Sequence, residues 1–518
     1  MSFSRRGFLG TGLAGLGALR GTALAQRQRR RGPLFNVLLI VVDDLRPDLG
    51  CYGQSGVLTP NIDALAADGL TFTRAYSQQA DGNASRTSLL TGLRPDTTRV
   101  ADSGHFRRYL PGAMTLPQHF ARYGYATSAF SKVFEKPQLD DPASWTIPSW
   151  LPDSHAWRSD AARGFSQRKW SELQAANFLS TEAFDYDPAK RGSQPAGRPG
   201  GGLASWESAD APDADLPDGK TADAVVAAFS ELQDQRFFLA AGFLRPHLPF
   251  VAPSKYFALY PAGSVELTPH REPAADLPPS ALHGSEELRE YADIPPRGPI
   301  PDGKARELVR AYRACISYVD AQVGRVLQAL EDLGLRQQTV VALCGDHGYH
   351  LGDHGLWGKR TNFELATRAP LIVSAPGQRG RGKKTAALTE LVDLYPSLCE
   401  ICELPRPPGL EGSSFTPLFD DPERLWKRAV FSQYPREIPG AGPGIGRTMR
   451  TDRYRYTEWG ANENPYFSAE LYDHMADPQE TISTASRPRH VSLVNGLSGM
   501  LRDGWRSSYP PTEGPAGS

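Results

Sequence analysis

Two polar pairs, Asp43-Asp44 and Asp346-His347, each stand directly after an apolar, β-branched run of the chain. Ionised carboxylates at the ends of buried strands are costly unless something compensates them, and a divalent cation does so with few residues. Three carboxylates favour a hard cation such as Ca²⁺ or Mg²⁺, while the histidine among them widens the choice toward Mn²⁺ or Zn²⁺. One Asp after one strand is often only a helix cap. The repetition at two strand ends is what points to a metal site. Downstream, His350, Asp353 and His354 in "GYHLGDHGLWGKR" are further candidates for that site, although a glycine-rich loop with solvated or supporting polar groups is the simpler reading.

A second stretch, "QQADGNASRTSLLTG" (Gln78 to Gly92), has the look of a catalytic turn entering a helix, with Ser85 and Arg86 side by side. Where a nucleophile would be expected the chain has Gly82, which has no side chain to attack with. Ser85 lies three residues further on, and that step along a helix turns its hydroxyl by most of a turn away from the position of residue 82.

These groups need strands and helices to hold them. "NVLLIVV" (Asn36 to Val42) has the continuous apolar texture of a strand buried on both faces, as do "TVVAL" (Thr339 to Leu343) and the run from Phe237 to Ala241 that leads into "GFLRPHLPF". Leu308, Tyr312, Cys315, Val319, Val323, Val326 and Leu330 recur at helical steps between the last two. Asn61 to Asp68 and Ser85 to Leu90 read as shorter helices. Strands separated by helices, with polar residues at the strand ends, predict an α/β domain with a doubly wound, mainly parallel sheet. Residues 186 to 220, rich in Gly, Pro, Ala and Asp, read as a long surface insertion. From Arg406 the texture changes to short aromatic, alternating runs ("RAVFSQY", "RYRYTEW"), which predict a smaller α+β subdomain over 406–518 after a main domain over 33–405. Within it, the Pro/Gly-rich stretch Pro435 to Gly446 reads as a loop.

The first 25 residues join an arginine pair, Arg5-Arg6, to a short Gly/Ala/Leu core that ends in Ala23-Leu24-Ala25. Those are the parts of a twin-arginine signal peptide, and they predict a periplasmic or secreted protein with no membrane attachment after cleavage. Five scattered cysteines make no disulfide framework. Cys399 and Cys402 fall on one face of an amphipathic helix and read as core thiols. Over 518 residues the formal charge is only -1, so no nucleic-acid partner is implied.

"NVLLIVVDDLRPDLGCYG", "TPNIDALAADGLTFTRAYSQQA", "SRTSLLTGLRPDTTR" and "GDHGYHLGDHGLWGKRTNFE" together resemble the sulfatase family, in the arrangement of its iduronate-2-sulfatase branch. "FFLAAGFLRPHLPF", "FSQYPR" and "RTDRYRYTEW" extend the likeness from about Asn36 to Asp477. The resemblance implies an alkaline-phosphatase-like α/β fold and one divalent metal ion, usually calcium, on Asp43, Asp44, Asp346 and His347. In that family a cysteine or serine in a C-x-P/A-x-R segment is oxidised to formylglycine, whose hydrate attacks sulfur. Here the segment reads Gly82-Asn83-Ala84-Ser85-Arg86: the arginine is kept and the nucleophile is absent. Lys132 and Lys359 match the family's sulfate-binding lysines, and His247 matches the histidine that protonates the leaving oxygen. Glu135 stands where the family has a histidine.

The resemblance therefore implies a hydrolase of sulfate esters of sugars or glycosaminoglycan-like glycans that has altered its nucleophile. In one version the space beside Gly82 admits a water activated by the metal, with Glu135 or His247 as base, acting on sulfate or phosphate esters. The alternative is a catalytically silent protein that still binds sulfated glycans.

Overall fold

The computed structural model describes residues 35–100, 104–151, 204–461 and 464–511. The signal-peptide segment and the first part of the expected insertion lie outside the described residues.

The main sheet takes eight strands: β1 (Asn36–Val42), β2 (Leu70–Tyr76), β3 (Ala126–Ser131), β4 (Phe237–Phe243), β5 (Thr339–Gly345), β6 (Arg368–Ser374), β7 (Lys383–Thr385) and β8 (Thr389–Glu390). Their spatial order is β7-β2-β6-β5-β1-β4-β3, with β8 also pairing with β2. β3, β4, β1 and β5 run parallel, and only β6 runs antiparallel to its neighbours β5 and β2. The alkaline-phosphatase-like, mainly parallel sheet is thus present.

Every residue of β1 is buried, which is why its sequence shows no alternation. Leu38, Ile40 and Val42 share one core with Leu239, Val341 and the long helix Asp302–Asp332, whose Leu308, Tyr312, Val319 and Val323 face inward. On the other face Phe238 meets Phe120, with ring centroids 5.0 Å apart. Fully burying one such aliphatic side chain stabilises the fold by about 1.5–3 kcal/mol. A central strand packed on both faces is therefore a rigid mount for the polar residues at its carboxyl end. Val42 is in register with both Gly345 of β5 and Phe243 of β4, and Ser131 of β3 with Gly242. Asp43, Asp346 and Lys132 are the next residues along their strands, so they emerge together at one sheet edge.

The described end of the expected insertion is ordered. Trp206–Ala209 pairs in parallel with Phe250–Pro253, and a helix runs from Pro217 to Leu232. Pro at its first turn suits a helix start, and Val225, Phe229 and Leu232 give it a buried face that the Gly/Pro-rich composition upstream concealed.

In the C-terminal region β9 (Ala429–Ile438), β10 (Gly442–Thr451), β11 (Tyr454–Ala461) and β12 (Asn464–Asp473) form an antiparallel sheet, joined by a helix at Val491–Asp503. The expected loop from Pro435 to Gly446 is instead a hairpin: Pro435 pairs with Ile445 and Ile438 with Gly442. Proline is tolerated because β9 is an edge strand. Gly446 is needed for packing, since a Cβ there would lie 2.7 Å from the ring of buried Trp459. Edge strand β9 also braces the candidate catalytic turn, where Gln433 N donates to Gln78 O at 2.9 Å.

Candidate active site

The helix that carries Arg86 starts earlier than its sequence suggests and spans Gly82–Thr91, every residue of it buried. Asp81 caps it by accepting from Asn83 N at 3.2 Å and Ala84 N at 3.4 Å. Gly82 is therefore the first helical residue, held at a fixed point facing the strand ends. Ser85 Oγ donates to the backbone carbonyl of Asp346. That bond uses the hydroxyl as a structural tie between the helix and the end of β5, not as a nucleophile.

The cationic groups predicted from sequence converge here. Arg86 Nε donates to Asp346 Oδ2 at 3.1 Å, and its terminal nitrogen donates to Asp43 Oδ1 at 3.1 Å. Lys132 Nζ lies 2.7 Å from Asp43 Oδ2 and 3.0 Å from Glu135 Oε1. Lys359 Nζ donates to Asp44 Oδ1 at 2.8 Å. His247 Nδ1 donates to Leu248 O at 2.6 Å, while its Nε2 lies 3.1 Å from Glu287 Oε1 and 3.8 Å from Asp44 Oδ2.

Burial alone would discharge these groups, and their mutual attraction keeps them charged. Burial raises Asp43, yet Lys132, His247, Arg86 and Lys359 hold its carboxyl well below the usual range. Burial likewise opposes charge on Lys132, which Asp43 and Glu135 raise, and on Lys359, which Asp44 and Glu287 raise far more. His247 is pushed down by burial and by Lys359, but Asp44 and Asp43 win and raise it.

The residues fit a divalent cation. Asp44, Asp346 and His347 each offer a ligand atom within 4.8 Å of the others, and Asp43, Glu135 and Asp346 form an overlapping set. The His347 Nδ1 contact with Gly348 O, at 2.9 Å, must be a donated N–H, because a carbonyl only accepts. Its Nε2 is then the nitrogen that faces the carboxylates, as in a metal-ligating histidine. Three buried atoms, Asp44 Oδ2, Glu135 Oε2 and His347 Nε2, have no hydrogen-bond partner. Buried polar atoms without partners are rare, and three at one point mark a place for a ligand. Backbone strain gathers at the same spot: Asp44, Ser131 and Arg360 have φ of 56°, 62° and 62°.

One expectation is corrected. The room beside Gly82 is not open to a water molecule, because the Glu135 carboxylate fills it. A Cβ built on Gly82 would lie 2.6 Å from the Glu135 carboxyl carbon and nearer still to Oε2. A carboxylate thus stands where the side chain of residue 82 would project, 3.5 Å from Arg86 Nε.

The loop residues His350, Asp353 and His354 are buried, not solvated. Asp353 binds Arg46 at 3.1 Å, His350 Nε2 contacts Thr361 Oγ1 at 3.0 Å, and His354 stacks on Phe363. They shape the loop that carries Lys359. Cys399 and Cys402 are buried free thiols. Sequence reasoning missed Glu287, whose carboxylate joins His247 and Lys359. Nothing in "SEELREY" distinguishes it from a solvated acidic pair.

Comparison with known proteins adds an independent line. A family model described as Sulfatase matches residues 35–403, and one described as N-sulphoglucosamine sulphohydrolase, C-terminal, matches 352–505. Iduronate 2-sulfatase of Homo sapiens is 33% identical over 86% of this chain and 90% of its own length. Its Mus musculus counterpart is 32% identical over 89% and 93%. Among solved structures, the phosphonate monoester hydrolase of Silicibacter pomeroyi superposes with a TM-score of 0.69 at 24% identity, over 92% of this chain and 96% of that one.

Proposed function

This chain belongs to the sulfatase family, and we propose that it hydrolyses sulfate esters of sugars or glycosaminoglycan-like glycans with water, in place of a side chain, as the nucleophile. The observation that carries the reading is the convergence of Arg86, Lys132, Lys359 and His247, from four separate segments, on one group of strand-end carboxylates. Such a cluster, built from long side chains and almost wholly buried, serves to hold and polarise an anion.

The groups able to move a proton fall on two sides. Glu135 sits with Arg86 and Lys132, at the place of the family's nucleophile. His247 sits with Lys359 and Glu287. With a sulfate ester between them, Glu135 takes a proton from water as the water oxygen attacks sulfur. The bond from sulfur to the sugar oxygen breaks, and His247 gives that oxygen its proton. Protons then pass through solvent from Glu135 back to His247. Arg86, Lys132 and Lys359 hold the sulfate oxygens throughout. A divalent cation on Asp43, Asp44, Asp346 and His347, calcium by family resemblance with Mn²⁺ or Zn²⁺ admitted by the histidine, would add positive charge against those oxygens.

Calcium-, manganese- or zinc-loaded protein assayed on a panel of sulfated sugars tests this reading. Turnover that Arg86→Ala lowers by about 10²–10³ supports it. Binding of those sugars without any turnover would favour the catalytically silent alternative, which the missing side chain at Gly82 motivates. Export by the twin-arginine route to the periplasm or beyond belongs to the same reading and rests on Arg5-Arg6. Retention of an Arg5→Lys, Arg6→Lys variant inside the cell would bear it out, and unchanged export would overturn it. No helix among the described residues is long and apolar enough to cross a membrane.

A further inference from the structure

Gly82 and Glu135 are separated by 53 positions in sequence and share one small volume in space. Each is a separate departure in sequence, and together they replace a side chain by a carboxylate brought from another segment. Any residue larger than glycine at position 82 would run into that carboxylate. The exchange places a negative charge beside Arg86, where the family's nucleophile would stand. Around that point the carboxylates of Asp43, Asp44, Asp346, Glu135 and Glu287 face the side chains of Arg86, Lys132, Lys359 and His247. Glu135 lowers the net charge of that group by one, and would do so with or without a divalent ion bound.

We infer that Glu135, made possible by Gly82, is a specificity-determining residue that selects monoanionic esters, such as sulfate monoesters, and rejects dianionic phosphate monoesters of the same shape. This rests on the hydrolase reading above and goes beyond it by assigning the charge of the substrate. The discrimination is electrostatic: a fixed carboxylate a few ångströms from the bound anion repels a second negative charge more strongly inside a buried, low-dielectric site than in bulk water. Oε1 is held by Lys132 at 3.0 Å, and Oε2 lies against the position of residue 82, 3.5 Å from Arg86 Nε and without a hydrogen-bond partner, so the carboxylate is fixed beside the anion-binding arginine.

Methyl sulfate and methyl phosphate are a suitable pair of probes, alike in shape but differing in charge once pH exceeds the second phosphate pKa of about 6. Calorimetric titration of the full chain with each, near pH 8 and with calcium in both arms, reads binding without needing turnover. Wild type is expected to prefer methyl sulfate, and Glu135→Gln to raise the affinity for methyl phosphate by about tenfold or more relative to methyl sulfate. Gly82→Ala, which pushes the carboxylate aside, should move the preference in the same direction. Melting curves and an unchanged response to Arg86→Ala, which should abolish both titrations, show that each variant is folded with its clamp intact. If both anions bind and their ratio is the same in wild type and Glu135→Gln, the selectivity is overturned while the hydrolase reading stands. If neither anion binds in a manner sensitive to Arg86, both fall.

Discussion

Two buried charge clusters in this protein look alike by composition and differ in how completely they are satisfied. In the first, where the C-terminal sheet meets the main sheet, Arg455 donates to Glu364 at 2.6 Å and to Glu480 at 2.7 Å. Arg450 adds a bond to Glu364 at 3.2 Å, Tyr76 takes the other Glu364 oxygen at 2.9 Å, and the Glu364 amide takes the second Glu480 oxygen at 2.8 Å. Glu364, His474 and Glu480 lie close enough together to hold a metal ion. Yet none of them, nor Arg455, leaves a buried side-chain atom unpartnered. In the second cluster, at the ends of β1 and β5, Asp44, Glu135 and His347 each leave one. The first is closed by its own arginines and holds the fold. The second leaves those three atoms without a protein partner, as a ligand site would. Proximity of acids and histidines does not separate the two; the unpartnered atoms do.

The sharpest way to break that comparison is to open the closed cluster. Arg455→Ala leaves Glu364 and Glu480 buried without their cation and should cost about 3–5 kcal/mol by denaturant unfolding, with no recovery on adding calcium. A loss within the scatter of a surface substitution would mean that this network does not hold the sheets together. The complementary experiment fills the open cluster. Calcium at a hundredfold excess over its Kd should stabilise wild type by about 2.7 kcal/mol, and Asp346→Asn should remove most of that gain. No shift in the melting curve with any of calcium, manganese or zinc would remove the distinction between the two clusters.

Glu470 offers a smaller, graded test near the closed cluster. Burial raises its carboxyl to about 7, although Trp459 and Tyr472 both donate to it, at 2.6 and 2.7 Å. Because its folded pKa lies above the ordinary value of 4.5, the proton favours the folded state. That stabilisation is complete at pH below the ordinary value and is lost as pH rises through about 7. Across this window Glu470→Gln should flatten the fall of stability by up to about 1.4 kcal/mol per pH unit. An unchanged slope would assign the fall to other groups.

Much of the fold was legible because it rests on burial. After their first residues, Asn36 and Thr339, β1 and β5 are continuously apolar up to their ends since both their faces are covered, and the polar residues that follow them could only be at the sheet edge. The long helix showed its inward face through the spacing of Leu308, Tyr312, Val319 and Val323. The hairpin at Pro435–Gly446 was hidden because Gly446 serves the packing of Trp459, a tertiary demand that local composition reports as a loop. Glu287 was invisible for a similar reason: only the fold brings its short helix against His247. The sequence made Gly82 and Glu135 conspicuous as two departures from one family pattern. That the carboxylate occupies the volume above the glycine is a fact of space, supplied by two segments that no motif connects.

The most direct test of the account is the turnover of a sulfated sugar by the calcium-, manganese- or zinc-loaded protein, with wild type and Glu135→Gln measured side by side. With Glu135 as the group that takes the proton from water, wild type turns over the ester and Glu135→Gln lowers kcat by about 10²-fold or more. Equal rates for the two proteins, or no turnover by wild type with any of these metals, would contradict it.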